Sequence, residues 1–226
     1  MIEQSTVKFL KDLSYNNNRD WFCDNRKLYE AARDNFIAFI DDLIPELQNI
    51  DPFITNVNAK NAVFRIFKDV RFSKKKEPYK TSFGAAIGKD GRKSEYPGYY
   101  LQIKPNGETF VGGGIHHPQP AILKSIRSEI AHNTKQFEEI INDLDFLAEF
   151  GELEGDKLIR SPKGFDKDHP AVEHLKRKDF LMLHKFPDSK ICHPDFKKHC
   201  LKKFERMKPL NEYFRGPVYD ILENND

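Results

Sequence analysis

The chain has 226 residues, of which 38% are hydrophobic and 32% charged, and its formal net charge is +2. A chain of this length can bury a core without disulfides, and its 19 Phe and 8 Tyr argue against disorder. Without an apolar run near the roughly 20 residues that span a bilayer, or a secretory leader, we expect a cytoplasmic protein with no membrane contact.

The first half of the chain opens with helical patterns. We predict a short helix capped by Ser5 and a break over residues 14–19. Asp20 is expected to cap a long helix, whose apolar residues recur at helical spacing as far as Leu47. Pro45 lies inside this pattern and predicts a kink or a restart of the helix.

Strand patterns follow in the middle of the chain. Residues 53–57 and 63–67 are short and rich in Phe, Ile and Val, and residues 99–103 alternate with the period of a half-buried strand. Asn106-Gly107 is a strong turn signal, so residues 108–115 are predicted to return as the partner strand of a hairpin. Three consecutive glycines at the end of that strand permit a close backbone approach.

Helical patterns return in the second half. The expected elements are a helix over 119–131, a helix capped by Asn133 or Thr134, a small hairpin over 153–159, an apolar run at 180–186, and a helix from Pro194 through Phe204 that resumes after Pro217. No segment is long enough to separate two domains. We therefore predict a single α+β domain over residues 1–226, an antiparallel sheet with flanking N-terminal and C-terminal helices.

The charges are unevenly distributed along the chain. Residues 60–80 hold eight basic and two acidic residues, residues 136–156 hold eight acidic and no basic ones, and residues 174–208 hold eleven basic and four acidic ones. Such segregation creates local fields even in a molecule that is nearly neutral overall. Solvated helix faces also carry charge of this kind, so the acidic block alone indicates no partner.

The basic segment 64–80 is the densest candidate site. In an extended chain Arg65, Asp69 and Arg71 share one face, while Phe64 and Ile66 face the core. Arginine binds phosphate or carboxylate through two hydrogen bonds, and lysine adds point charges. A surface strand with an ion-paired Asp69 would give the same pattern. The candidate ligand-binding residues are Arg65, Arg71, Ser73, Lys74, Lys76, Tyr79 and Lys80.

Proton transfer has three candidate residues. Asp69 could orient an arginine, bind a metal or act as a base. In the later loop, Asp168 and His169 are also candidates, and Asp166 with Asp168 could hold a cation. Asp168 could equally cap a short helix beginning at Pro170. The sequence leaves open whether this loop is a site or a structural cap.

Several segments together resemble one protein family. They are N-N-R-x-W-F at residues 17–22, the basic segment at 64–80, Y-Y-L-x-I at 99–103, the glycines at 112–114, and P-K-G-F-D-x-D-H-P at 162–170. With these motifs the chain resembles the microbial family designated domain of unknown function 2461. The resemblance implies a single α+β domain and no particular activity. Lys68 and Lys75 stand where the family usually has Arg and Asp, and the missing carboxylate argues against a metal in this loop.

We expect no metal and no cofactor. Cys192-His193 and His199-Cys200 lack the spacing of zinc ligands, and His116-His117 is interpreted as a polar turn. The glycine-rich nucleotide loops and the serine-hydrolase and zincin motifs are also missing from the sequence. These absences disfavour P-loop hydrolysis, Rossmann dehydrogenation and zincin proteolysis.

Two functions remain. In the first, the segment 64–80 binds a phosphate-bearing or other anionic ligand, which is a nucleotide, a sugar phosphate or the backbone of a nucleic acid, and the sequence does not show whether a reaction follows. In the second, the protein is a non-enzymatic interaction module whose basic segments dock an acidic partner. That partner could be the acidic block of a second copy, which would make the protein a homo-oligomer. The first function is favoured.

Overall fold

The structure is a computed structural model that describes residues 1–69 and 77–223. The chain forms two compact units. Unit 1 comprises Met1–Arg92, Tyr100–Val111 and Lys185–Lys202, and unit 2 comprises Lys93–Tyr99, Gly112–His184 and Lys203–Asp226. The single domain expected over residues 1–226 stays a prediction beside this division.

Helices and strands segregate along the chain as expected for an α+β protein. The helices are α1 (Gln4–Tyr15), α2 (Arg19–Asp24), α3 (Arg26–Ile50), α4 (Ala59–Ala62), α5 (Pro120–His132), α6 (Thr134–Ile141), α7 (Leu144–Phe150), α8 (Val172–Leu175), α9 (Asp188–Ile191) and α10 (Phe196–Leu222). The strands are β1 (Phe83–Ile87), β2 (Gly98–Ile103), β3 (Thr109–Ile115) and β4 (Phe180–Phe186). No helix within residues 1–69 and 77–223 combines the length and hydropathy that crossing a bilayer requires.

The four strands form one antiparallel sheet in the order β1-β2-β3-β4, which confirms the predicted fold class. The predicted hairpin is β2 and β3, and it turns at Asn106-Gly107. Both turn residues have positive φ, 70° and 74°, as the two-residue turns that match strand twist require. The carboxylate of Asp188 accepts both of their N–H groups at 2.8 Å.

Several predicted boundaries in the first half are wrong. Ser5 lies inside α1, whose N-cap is Glu3, and α2 is capped by Asn18, which accepts the N–H of Trp21, rather than by Asp20. Helix α3 is continuous through Pro45 to Ile50, so it does not restart there, and the predicted kink stays a prediction. Residues 53–57 form no strand, because the chain turns there before α4.

Two strand-like regions differ from expectation in the same part of the chain. Residues 63–67 make only the isolated bridges Val63 to Ala85 and Phe67 to Tyr79. Strand β1 was not predicted, since its residues are mostly small. At Gly84 an added Cβ would lie 2.4 Å from the Tyr100 hydroxyl. A close contact therefore excludes the bulky residues that usually mark a strand.

The second half keeps the predicted helices but not the predicted small hairpin. Residues in 153–159 bridge instead to the segment before and within β4, at Glu154 to Leu181 and Lys157 to Arg177. The final helix α10 is continuous through Pro209 and Pro217. The N-cap of α6 is Asn133, without a side-chain cap hydrogen bond.

Each unit has its own aromatic core. In unit 1, Phe36 stacks on Phe83 with ring centroids 5.5 Å apart, so α3 packs on β1 next to the basic segment. In unit 2, Phe180 of β4 contacts Phe137 and Phe214, with centroids 6.4 and 5.0 Å away. All five rings are almost completely buried, which fixes β1 and β4 against helices.

Gly114 supports a first testable prediction. Its φ is +110°, and a Cβ there would lie 1.9 Å from the carbonyl oxygen of Phe180, whereas Gly107, with φ +74°, has nothing within 4 Å. We expect Gly114→Ala to lower the free energy of unfolding by more than about 3 kcal/mol, beyond the usual range for point substitutions. The matched variant Gly107→Ala should cost only about 1–2 kcal/mol of left-handed strain. Chemical denaturation measures both, and equal losses would contradict the prediction.

Candidate cationic site

The basic segment is held in unit 1 by a short antiparallel ladder. The N–H of Lys80 donates to the carbonyl of Ile66 at 2.7 Å, and the N–H of Lys68 donates to the carbonyl of Pro78 at 2.9 Å. Phe67 and Tyr79 are the directly opposed pair between these two bonds. The ladder therefore brings the start and the end of segment 64–80 together.

Asn17 connects the start of the chain to this ladder. Its amide nitrogen donates to the carbonyl of Tyr79 at 3.0 Å, and its amide oxygen accepts the N–H of Tyr79 at 3.1 Å. In the Phe67–Tyr79 pair the backbone polar groups of Tyr79 point away from the opposing chain. Asn17 satisfies both of them, so the motif at 17–22 is fixed beside Tyr79.

Three aromatic side chains complete this junction. Phe22 stacks on Tyr79 with ring centroids 3.9 Å apart, and Phe67 lies 5.9 and 5.6 Å from these two rings. Phe22 and Tyr79 are buried, whereas Phe67 is 49% exposed. Phe22 thereby anchors α2 to the core, and Phe67 presents an aromatic surface next to the basic residues.

Three cations gather around the ladder. Lys80 is half-buried, and its Nζ lies 5.1 Å from the centre of the Phe64 ring. Burial lowers the pKa of Lys80, and the positive charges of Arg65 and Lys68 lower it further. Lys68 also pairs with Glu77 at 3.3 Å. We call Arg65, Lys68 and Lys80 the cationic cluster.

A further basic residue, Arg19, lies near the hydroxyl of Tyr79. Burial raises the pKa of the Tyr79 hydroxyl, while the nearby charge of Arg19 acts in the opposite direction. Arg19 begins α2, directly after the cap residue Asn18. The arginine of the motif at 17–22 therefore lies near Tyr79.

The structure describes some of the predicted ligand-binding residues. Arg65 is exposed, Lys80 is half-buried and Tyr79 is buried, so the Tyr79 ring packs in the core rather than facing a ligand. Asp69 is exposed. The other candidates, Arg71, Ser73, Lys74 and Lys76, lie outside the described residues, as does Lys75. Lys68 was not among the candidates, although its position on the ladder places it in the cluster.

The later loop lines a pocket in unit 2. The pocket has a volume of about 390 Å³ and is lined by Lys124, Ser128, Ala131, His132, Gly164, Phe165, Asp166 and His169. Asp168 is not among these residues. It also caps no helix, because α8 begins at Val172 after the N-cap Ala171, which corrects that alternative. Instead, Asp166 accepts the N–H of Asp168 at 2.9 Å and shapes the loop.

The two histidines of this pocket differ in whether Nδ1 donates or accepts a hydrogen bond. Nδ1 of His132 lies 2.6 Å from the carbonyl oxygen of Ser128, which can only accept, so this nitrogen carries the proton and Nε2 is left as an acceptor. Nδ1 of His169 accepts the N–H of Ala171 at 3.0 Å, so its Nε2 carries the proton. In the neutral rings, one Nε2 can therefore accept a hydrogen bond and the other can donate one. The partner His132 was missed because it lies on α5, far from the loop in sequence.

Two residues of the acidic block are paired with basic residues within unit 2. Asp145 bonds to Arg206, and Glu149 bonds to Lys203. Glu149 also lies 2.8 Å from Nδ1 of His184. The helix that carries Arg206 and Lys203 belongs to the basic segment 174–208. Two of the eight acidic residues of 136–156 are therefore paired with bases of segment 174–208 inside one chain.

Asn17 supports a second testable prediction. Asn17→Ala leaves the N–H and C=O of Tyr79 without their side-chain partner, and we expect the free energy of unfolding to fall by about 1–3 kcal/mol. Gln102 is a suitable control, because its amide makes one exposed bond, to the carbonyl of Glu108 at 3.0 Å. Gln102→Ala should change stability by less than about 0.5 kcal/mol. Equal losses in the free energy of unfolding for the two variants, measured by denaturant titration, would contradict the prediction that the bonds of Asn17 stabilise the fold more than the bond of Gln102.

The lowered pKa of Lys80 supports a third prediction. Because the pKa is lower in the folded than in the unfolded chain, the unfolded state binds more protons between those two values, and the stability of the wild type rises with pH across that window. Lys80→Met lacks this contribution. The free energy of unfolding of Lys80→Met minus that of the wild type should therefore decrease from pH 7 towards pH 10.5. A difference that is constant with pH in denaturant titrations would contradict the prediction.

Comparison with known proteins identifies the family. The family model described as "Conserved hypothetical protein (DUF2461)" matches residues 5–213. Neither the curated proteins nor the solved structures include a match. Since the family match covers nearly the whole chain, the chain belongs to this family, and the resemblance indicated by its motifs is confirmed.

Proposed function

We propose that this member of the DUF2461 family binds a phosphate-bearing or other anionic ligand at the cationic cluster. The observation that carries the proposal is the position of Lys80, half-buried beside Arg65 and Lys68. Bringing like charges together and partly desolvating one of them is unfavourable. A bound anion offsets both costs, so the arrangement favours an anion over a cation.

The chemistry of the cluster fits phosphate. Arg65 can donate two parallel hydrogen bonds to phosphate oxygens, and Lys68 and Lys80 contribute point charges. The exposed half of Phe67 offers an aromatic face on which a base can stack. Nucleotides and nucleic acids present both a phosphate and a base, whereas a sugar phosphate presents only the phosphate. The basic residues predicted for this site within 70–76 would add to the same attraction.

The alternative function has less support. An interaction module that docks an acidic partner would be favoured if the acidic block were open to a second copy. Two of its eight acidic residues, Asp145 and Glu149, instead pair with Arg206 and Lys203 of the same chain, which reduces the charge available to a partner. For the location of the protein, the free cysteines Cys23, Cys192 and Cys200 support a reducing, cytoplasmic compartment.

Two lysine variants test the proposal. Lys80→Met removes the central charge and should weaken binding of pyrophosphate, ATP or a short single-stranded oligonucleotide by about 1.5–3 kcal/mol, or roughly 10- to 150-fold. Lys89 is the matched control, because it is also half-buried in unit 1 and lies 5.7 Å from the ring of Phe53. Lys89→Met should leave the affinity within about twofold of the wild type. Isothermal titration measures the affinities.

The outcome of the titrations decides the proposal. Binding that falls steeply with salt and grows with oligonucleotide length indicates a nucleic acid backbone, and saturation at one small ligand per chain indicates a nucleotide or sugar phosphate pocket. Either result supports an anion site if Lys80→Met weakens the binding and Lys89→Met does not. Equal affinities in Lys80→Met and the wild type, or no heat with any of the three probes, would refute the cationic cluster as the site.

A further inference from the structure

Two adjacent histidines and a distant aspartate come together in unit 2. His116 and His117 follow β3, and Asp179 precedes β4, 62 residues after His117. One ligand atom from each residue lies within 4.8 Å of the other two. Among residues 1–69 and 77–223 this is the group of His, Cys, Asp and Glu side chains with the spacing of a metal site.

The carboxylate of Asp179 is fixed in position. Its side chain is 3% exposed, and its two oxygens accept the N–H of His117 at 2.7 Å and the N–H of Asp156 at 3.3 Å. Gly155 allows the chain to pass next to it, since a Cβ at Gly155 would lie 2.5 Å from the Cβ of Asp179. A buried carboxylate is thereby held still at the base of the group.

The two imidazoles remain adjustable and open to solvent. The His117 side chain is 69% exposed, and its Nδ1 lies 3.4 Å from Oδ1 of Asp179. His116 is also exposed, and its ring centroid lies 4.0 Å from that of His117. An ion pair with Asp179 would need only one ring, and two protonated rings side by side would repel each other. Two neutral rings facing one cation avoid that repulsion.

We propose that His116, His117 and Asp179 form a binding site for a divalent transition-metal ion of the zinc type. Two imidazole nitrogens and one carboxylate oxygen are the donor set of zinc sites that keep an open position, and of related iron sites. Zinc bonds of about 2.0–2.2 Å place tetrahedral donors about 3.3 Å apart. Rotation of the exposed imidazoles closes the remaining gap towards the fixed carboxylate. The solvent side is left for water or a further ligand.

The site goes beyond the proposed anion binding and uses none of the cationic cluster. The sequence predicts no metal here, because His116 and His117 are neighbours and give no recognisable ligand spacing. The third donor is supplied by the folded chain. An ion at this position would also connect the ends of β3 and β4 and would therefore stabilise the fold by mass action.

The test measures zinc binding to the full-length chain without a histidine tag, after treatment with a chelator. Isothermal titration with Zn²⁺ should show one ion per chain, and Co²⁺ should produce visible absorption bands. His116→Ala and His117→Asn should each weaken Zn²⁺ binding by more than about 100-fold, since loss of an outer-shell partner alone costs about 10- to 100-fold. Asn is chosen at residue 117 because φ there is +48°, a conformation that Asn tolerates.

His193 provides the matched control. It is exposed, and its Nδ1 lies 3.7 Å from a carboxylate oxygen of Asp195, but no third donor joins this pair in the described chain. His193→Ala should leave the zinc affinity unchanged. The proposal is overturned if the wild type binds no Zn²⁺, if His116→Ala retains full affinity, or if His193→Ala loses as much affinity as His116→Ala. Because the side chain of His116 makes no contact that the fold requires, its variant decides the question even if His117→Asn fails to fold.

Discussion

The amide of Asn17 holds together the parts of the chain on which the cationic cluster depends. One side chain serves both backbone groups of Tyr79, because a neutral amide carries an acceptor oxygen and a donor nitrogen side by side. The pairing places Phe22 on the ring of Tyr79 and brings Arg19 near it. Lys80 is the next residue after Tyr79. A neutral hydrogen-bonded pair therefore helps to determine where the positive charge of Lys80 lies.

In the described part of the chain, the charged residues are paired to different extents in the two units. In unit 2 the acidic block and the basic helix meet as close pairs, Asp145 with Arg206 and Glu149 with Lys203. In unit 1 the basic segment has one such described pair, Lys68 with Glu77, while burial and two positive neighbours act on Lys80. Exposed paired charges contribute little to stability and leave little free energy for a ligand to recover. Like charges held together by other interactions point to function, since they store free energy that a ligand can recover.

The elements that the sequence predicts well are those specified by neighbouring residues. The hairpin of β2 and β3 follows from alternation around Asn106-Gly107, and the outward position of Arg65 and inward position of Ile66 follow from strand parity. Strand β1 was missed because its residues are mostly small, and at Gly84 the small size is required by the distant Tyr100. The same reason applies to the sites: the bonds of Asn17, the presence of His132 and His169 in one pocket, and the approach of Asp179 to His117 all bring together residues far apart in sequence.

The surroundings of Lys80 also affect its reactivity. An amine whose ammonium form is disfavoured keeps a larger fraction of free base at neutral pH than an ordinary surface lysine, and only the free base is a nucleophile. Acylating reagents and aldehydes that reach Lys80 therefore meet a more reactive nitrogen. A bound anion would lower that reactivity in two ways, because it favours the ammonium form and because it covers the nitrogen. The rate at which one lysine is labelled thus distinguishes an empty cluster from an occupied one.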